Sequence, residues 1–256
     1  MDRPNWVGLA ATTFIAALLY AVSGFGFAVL AAPLFLLFAN SAQAIQLVII
    51  LSTALSLVVI PGLWRSIAPA LLLRLAFGSI AGLPVGLLAF RHADPIMVRG
   101  LAGTIILVFA ALMAVLRRRL GRPWAPLAMS RGRDVVAGAI SGIATALVGM
   151  AGPPVLIYLL LGGASPPTVR ATLLTFFSLS YAATLAAHAA TIGVPGSTWL
   201  AAAILIPFAV IGGLAGRPLG DRIGADGFAI LAISLLAAAG LYTVTAAGIS
   251  LVAHQQ

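Results

Sequence analysis

Apolar residues run along this chain in long blocks, and the polar positions between them fall in short clusters rather than at a regular amphipathic spacing. Six blocks, roughly 42–60, 68–90, 96–116, 168–190, 198–219 and 227–247, each approach the ~20 residues that a helix needs to cross a bilayer. Two more, 6–38 and 134–161, are also apolar but carry a glycine break. Each predicts one arm of modest length and a second arm of about ten to fourteen residues, too short to cross comfortably. Both blocks read as broken or re-entrant helical hairpins.

The order then occurs twice. A first repeat over residues 1–120 holds the hairpin 6–38 and the spans 42–60, 68–90 and 96–116; a linker over 121–133 follows; a second repeat over 134–256 holds the hairpin 134–161 and the spans 168–190, 198–219 and 227–247. "GFGFAVLAAPLFLL" from Gly24 lines up with "GMAGPPVLIYLL" from Gly149, and Gly82/Gly86 line up with Gly212/Gly216.

Composition places these blocks in a bilayer. The 256 residues are 62% hydrophobic and 7% charged, which a soluble domain would struggle to keep in solution. The N-terminal stretch "MDRPNWVGLAATTFIAALLY" runs on past any signal-cleavage point and is kept as the first span. Every positive charge is an arginine, so the net charge of +9 reflects span ends and the segment "RRRLGRPWAPLAMSRGR" at 117–133 rather than a groove for nucleic acid. Counting each hairpin as an even number of crossings inverts the second half. It also places Arg65, Arg74, the six arginines of 117–133, Arg170, Arg217 and Arg222 on one side, eleven of the fourteen. Counting each broken block as one crossing places nine there. The positive-inside rule therefore favours inversion, with a cytoplasmic linker and both termini outside. The expected fold is an all-α membrane protein of two inverted-topology repeats, multi-pass in the cytoplasmic membrane of a bacterium.

Several function classes drop out. The absence of cysteine excludes disulfides, thiolate metal sites and cysteine nucleophiles, and no metal or cofactor is expected. No "HExxH", Walker loop or dinucleotide fingerprint is present, and His188 has no acid within sequence reach for a Ser-His-Asp set, so no enzyme is expected. Asp2, Asp94, Asp134, Asp221 and Asp226 all fall at expected ends or loops, which argues against a carboxylate-based cation antiporter.

What remains is the chemistry of the breaks. Interrupting a helix inside the membrane frees N–H groups at the start of the next arm, where the dipole carries about half a positive charge, and an anion can be held there without a buried cation. Ser23, Gly24, Phe25, Gly26 and Phe27 form the first break, and Gly149, Met150, Ala151, Gly152 and Pro153 the second. Pro153 and Pro154 suit the first turn of a restarting helix. The competing reading is that such glycines only let helices approach closely, and for Gly82/Gly86 and Gly212/Gly216 it is the better one. Polar side chains on the following spans are candidate pocket walls: Gln46 and Thr53 in the first repeat, and Arg170, Thr172 and Thr175 in the second. Hydroxyls there also suit bonding to the preceding turn, and Arg170 and Arg74 suit snorkelling to headgroups. His188 is either a proton relay or an interfacial histidine.

The two motifs, with "PPTVRATL" at 166–173, resemble the TauE/SafE family of sulfite and organosulfonate permeases. The first copy departs from the family's glycine run at Phe27 and keeps Pro33; the second departs at Ala151 and Pro153, and Tyr158 stands where the later proline is expected. The resemblance implies a carrier for sulfite or a small sulfur-containing anion, embedded in lipid, with the two breaks meeting centrally and Thr172 raised by its place in "RATL". A homodimer is compatible with it. A passive anion channel and a non-transporting structural membrane protein are the rivals.

Overall fold

The computed structural model describes residues 5–23, 26–39, 43–59, 68–119, 129–163 and 166–220, with isolated residues between 234 and 245. Gly24, Phe25, most of the linker and the expected span 227–247 lie outside the described residues, as do the side chains of Ser23 and Arg170. Among those described there are nine helices and no strand: α1 (Trp6–Ser23), α2 (Phe27–Ala39), α3 (Gln43–Val59), α4 (Pro69–His92), α5 (Pro95–Arg119), α6 (Arg131–Val148), α7 (Gly152–Leu161), α8 (Pro166–Thr191) and α9 (Gly196–Gly220). Three stretches, Pro69–His92, Ala171–Thr191 and Gly196–Gly216, are long and apolar enough to cross a membrane. The block at 42–60 forms a shorter apolar helix, α3, of 17 residues.

Both breaks are present. α1 stops at Ser23 and α2 restarts at Phe27 after Gly26, whose φ of 111° is one that L side chains rarely adopt. α6 stops at Val148 against Gly149 at φ 74°, the left-handed C-terminal cap that glycine supplies without strain, and α7 restarts at Gly152. The restarting arms are 13 and 10 residues long. The helix bounds recur at a constant spacing: Trp6 and Arg131, Ser23 and Val148, Phe27 and Gly152 are each 125 residues apart.

Packing recurs too. α4 runs parallel to α6 with almost no side chain between them. A Cβ on Gly78, Gly82 or Gly86 would overlap the backbone at Val135, Ala139 or Ile143 in turn, and one on Gly138 or Gly142 would overlap Leu75 or Ser79. α9 sits on α1 in the same way, Gly212 over Phe14 and Gly216 over Leu18. Phe14 and Leu18 stand 125 residues before Ala139 and Ile143, so each half lends its fourth helix to the first helix of the other. Lipid is as apolar as leucine, so close backbone approach over small residues, not apolar burial, joins such helices. The opposite face of α4 carries Leu73, Phe77, Ile80, Val85 and Leu88, all more than half exposed, a pattern suited to acyl chains rather than water.

Between these pairs lie α3 and α8, running antiparallel. Gln46 near the start of α3 bonds the Gly193 carbonyl just past the end of α8 at 2.9 Å. Further along, Ser52 lies beside Tyr181, and Tyr20, which reaches Ser56 at 3.3 Å, faces Phe177. Phe27, Phe35, Phe176 and Phe177 are among the largest fully buried side chains of the described core.

Candidate functional site

The second break is buried in the core rather than left in a loop. Met150 and Ala151 are fully buried, and Gly149 lies against Val48 and Ile45 of α3. Backbone groups opened there find named partners, as a dry interior demands. The Ser141 hydroxyl donates to the Ala151 carbonyl at 2.5 Å, the Ala151 N–H donates to the Tyr181 hydroxyl at 3.4 Å, and the Gly149 N–H returns to the Thr145 carbonyl at 2.9 Å. Thr145 in turn donates to the Ser141 carbonyl at 2.6 Å and meets Ser180 at 3.4 Å.

The two helix starts are not equal donors. In α2 the first helical bond runs from Leu30 N–H to the Gly26 carbonyl at 3.0 Å, so the N–H groups of Phe27, Ala28 and Val29 have no acceptor within the helix. In α7 Pro153 and Pro154 have no N–H at all, and Gly152 alone offers one in the first turn before Val155. The prolines that favour the restart also strip it of donors. A ring joins the two regions: Phe177 of α8 has its centroid 6.5 Å from Tyr20 in the last turn of α1 and 6.0 Å from Tyr181. Its Cζ lies 3.3 Å from where a Cβ on Gly152 would stand. Phe177 therefore covers the start of α7.

The expected pocket walls divide. Thr172 is fully buried and its hydroxyl meets no partner among the described residues. Thr175 bonds the Ala171 carbonyl at 2.9 Å and Thr53 the Ile49 carbonyl at 2.8 Å, both in the preceding turn, which is the bland role open to any helical hydroxyl. Gln46 is buried, but at the end of the bundle away from Tyr20 and Ser56. With Gln43, Phe90 and Ile192–Pro195 it lines a cavity of about 420 Å³. His188 is buried on the last turns of α8, its Nε2 3.0 Å from the Ala146 carbonyl.

Residues the sequence reading passed over do much of the holding. Tyr20, Phe177, Ser141 and Thr145 surround the breaks; the spacing of Ser141 and Thr145, one turn apart on a helix leading into a glycine break, is the signal that could have found them. Asp134 stands at a helix end as expected, yet it is almost completely buried. The Arg74 Nε lies 2.5 Å from one carboxylate oxygen, and the Tyr158 hydroxyl donates to the other at 2.5 Å. Arg74 is thus an ion-pair partner rather than a free snorkelling cation. The tyrosine in place of a family proline is what ties α7 to the start of α6.

A family model described as sulfite exporter TauE/SafE matches residues 9–243, most of the chain. The chain belongs to that family. Its members are membrane transporters of sulfite-type anions, not enzymes, and the TauE/SafE chain described here is accordingly a membrane protein for a small anionic substrate. Comparison with curated proteins and with solved structures gives no significant match.

Proposed function

We propose that this TauE/SafE protein is a secondary transporter that moves sulfite or a small organosulfonate across the cytoplasmic membrane of a bacterium by alternating access. The anion is held between the starts of α2 and α7, with the Thr172 hydroxyl as a substrate donor. The observation that carries this reading is the pair of helices that restart within the packed core, 125 residues apart, each after a glycine at positive φ. The N–H groups at the start of α2 that lack an acceptor within the helix, and the Thr172 hydroxyl that meets no partner among the described residues, supply donors without a buried cation. The repeats take the limits 1–120 and 134–256, joined by the linker 121–133 on the cytoplasmic side. Their inversion is supported by the corresponding helices α3 and α8, which run antiparallel across the centre. Multi-pass insertion with both termini outside follows, and a negative interior drives an anion outward by about 2.3 kcal/mol per charge per 100 mV.

Flux into proteoliposomes tests the mechanism. A carrier saturates with sulfite and shows counterflow of labelled against unlabelled substrate. Linear, non-saturating flux without counterflow would make the protein a channel, and no flux would leave the glycines with a packing role alone.

A further inference from the structure

His188 has one defined bond and one unused nitrogen. Its Nε2 faces the Ala146 carbonyl at 3.0 Å, and a carbonyl only accepts, so Nε2 carries the hydrogen and the neutral ring keeps a bare lone pair on Nδ1. Nδ1 is buried without a partner among the described residues, and so is the hydroxyl of Thr184, one turn earlier on the same face of α8. One turn earlier again is Ser180, which meets Ser79 of α4 at 2.9 Å and Thr145 of α6 at 3.4 Å. Thr145 leads through the Ser141 carbonyl to the residue whose hydroxyl grips Ala151 at the second break. At the other end, the Phe90 ring meets the imidazole edge-on at 4.7 Å and also lines the 420 Å³ cavity of Gln43, Gln46 and Ile192–Pro195. Buried waters characteristically satisfy polar atoms that the protein leaves unpaired, where there is room for them.

We infer that the face Ser180–Thr184–His188 is a proton path from the cavity at the end of α8 to the second break, and that the anion moves coupled to a proton. The inference rests on the transport reading given above. A proton from the cavity binds the Nδ1 lone pair, giving an imidazolium whose Nε2–H still donates to Ala146. It leaves from Nδ1 through water to the Thr184 hydroxyl and the Ser180–Ser79–Thr145 cluster, each hydroxyl accepting one proton and passing on another, and ends on the sulfite at the second break, which crosses as bisulfite and releases the proton on the other side. The charged and titratable groups on the elements packed against His188 make no hydrogen bond to its ring among the described residues. Arg91, His92 and Asp94 are exposed around the end of α4, Arg131, Arg133 and Asp134 lie at the far end of α6 with Arg74, and Arg170 is at the far end of α8.

The experiment compares wild type with His188→Gln and Thr184→Val in proteoliposomes, using sulfite, with membrane potential clamped. All three proteins meet the same mixture of sulfite and bisulfite, so any difference among them belongs to the protein. Exchange of labelled sulfite at equal pH on both sides moves no net proton and should stay within about twofold of wild type. For one proton per turnover, a one-unit pH gradient shifts the steady-state substrate ratio tenfold in wild type, and His188→Gln should lose that shift. Thr184→Val, which leaves the Ala146 bond intact, should reach the shifted ratio about tenfold more slowly. A His188→Gln protein that exchanges sulfite and keeps the full tenfold shift overturns the proton path while leaving transport standing. A wild type that exchanges no sulfite overturns both.

Discussion

Replacing Gly86 by alanine probes the joint between the two halves. A Cβ there falls 2.6 Å from the Ile143 carbonyl oxygen and 2.8 Å from the Ala146 Cβ, where ordinary van der Waals contact begins at 3.4 Å. Neither neighbour is the free end of a long side chain, so α4 and α6 must part by about 0.7 Å, a gap that forfeits a quarter to a half of the dispersion well for each atom pair along the seam. Overpacking of this kind costs about 1–3 kcal/mol, and the helix preference of alanine over glycine returns up to ~1 of it. The net expectation is about 1–2 kcal/mol of destabilisation, read as a lowered thermal midpoint in detergent. Gly216→Ala should lose at least as much, because its Cβ would overlap the Leu18 carbonyl oxygen and stand 2.9 Å from the Cβ of Ala21, the residue 125 before Ala146. Gly132→Ala, where nothing lies within 4 Å, should be neutral or slightly stabilising. A Gly86→Ala protein as stable as Gly132→Ala refutes the packing argument. A loss at Gly86 with none at Gly216 refutes the equivalence of the two joints.

Three further expectations concern the breaks. Gly152→Leu should abolish sulfite flux while folded protein remains in the membrane, because the side chain drives against the Phe177 ring that already covers the start of α7; unchanged uptake would remove the anion from that position. Thr172→Val should weaken sulfite binding about tenfold with little change in midpoint, since the lost hydroxyl has no partner among the described residues, and an unaltered isotherm would strike it from the pocket. Tyr158→Phe should cost about 2 kcal/mol of stability by removing a hydrogen bond to a buried carboxylate, with a neutral result showing that Arg74 alone satisfies Asp134.

Helix periods, breaks and the close-packing glycines were legible because each is a local property. A run of apolar residues, a Gly at a helix end and a Gly-x-x-x-Gly spacing announce themselves within ten residues. Depth along a span was not legible. Gln46, Thr53 and Thr175 looked alike on paper, yet Gln46 reaches across to Gly193 while the two threonines close onto their own helices. Only the antiparallel set of α3 and α8 decides between those outcomes. Asp134 shows the same limit: its place at a helix end was clear, but its burial depends on Arg74 and Tyr158, 60 residues before it and 24 after it.

The two breaks recur at one spacing of helix bounds and yet differ in local chemistry. The helix stop and restart repeat at fixed spacing, so each half aims the positive end of a helix dipole at the core, although the left-handed glycine sits just before the restart in the first break (Gly26) and just after the stop in the second (Gly149). The donors do not repeat. α2 opens with three N–H groups that have no acceptor within the helix, whereas the matching three positions of α7 are Gly152 and two prolines and carry one N–H, with Ser141 and the Tyr181 hydroxyl already engaged at Ala151. An anion between them would take its directional bonds from the α2 side and from Thr172, and from the α7 side chiefly the dipole field. The α7 side is held in place by two contacts: Tyr158 pins that helix to Asp134, and Phe177 rests on its first residue. In such an arrangement the first break supplies recognition and the second supplies a rigid electropositive wall, which is why a bulky substitution at Gly152 is expected to act by blocking approach rather than by removing hydrogen bonds.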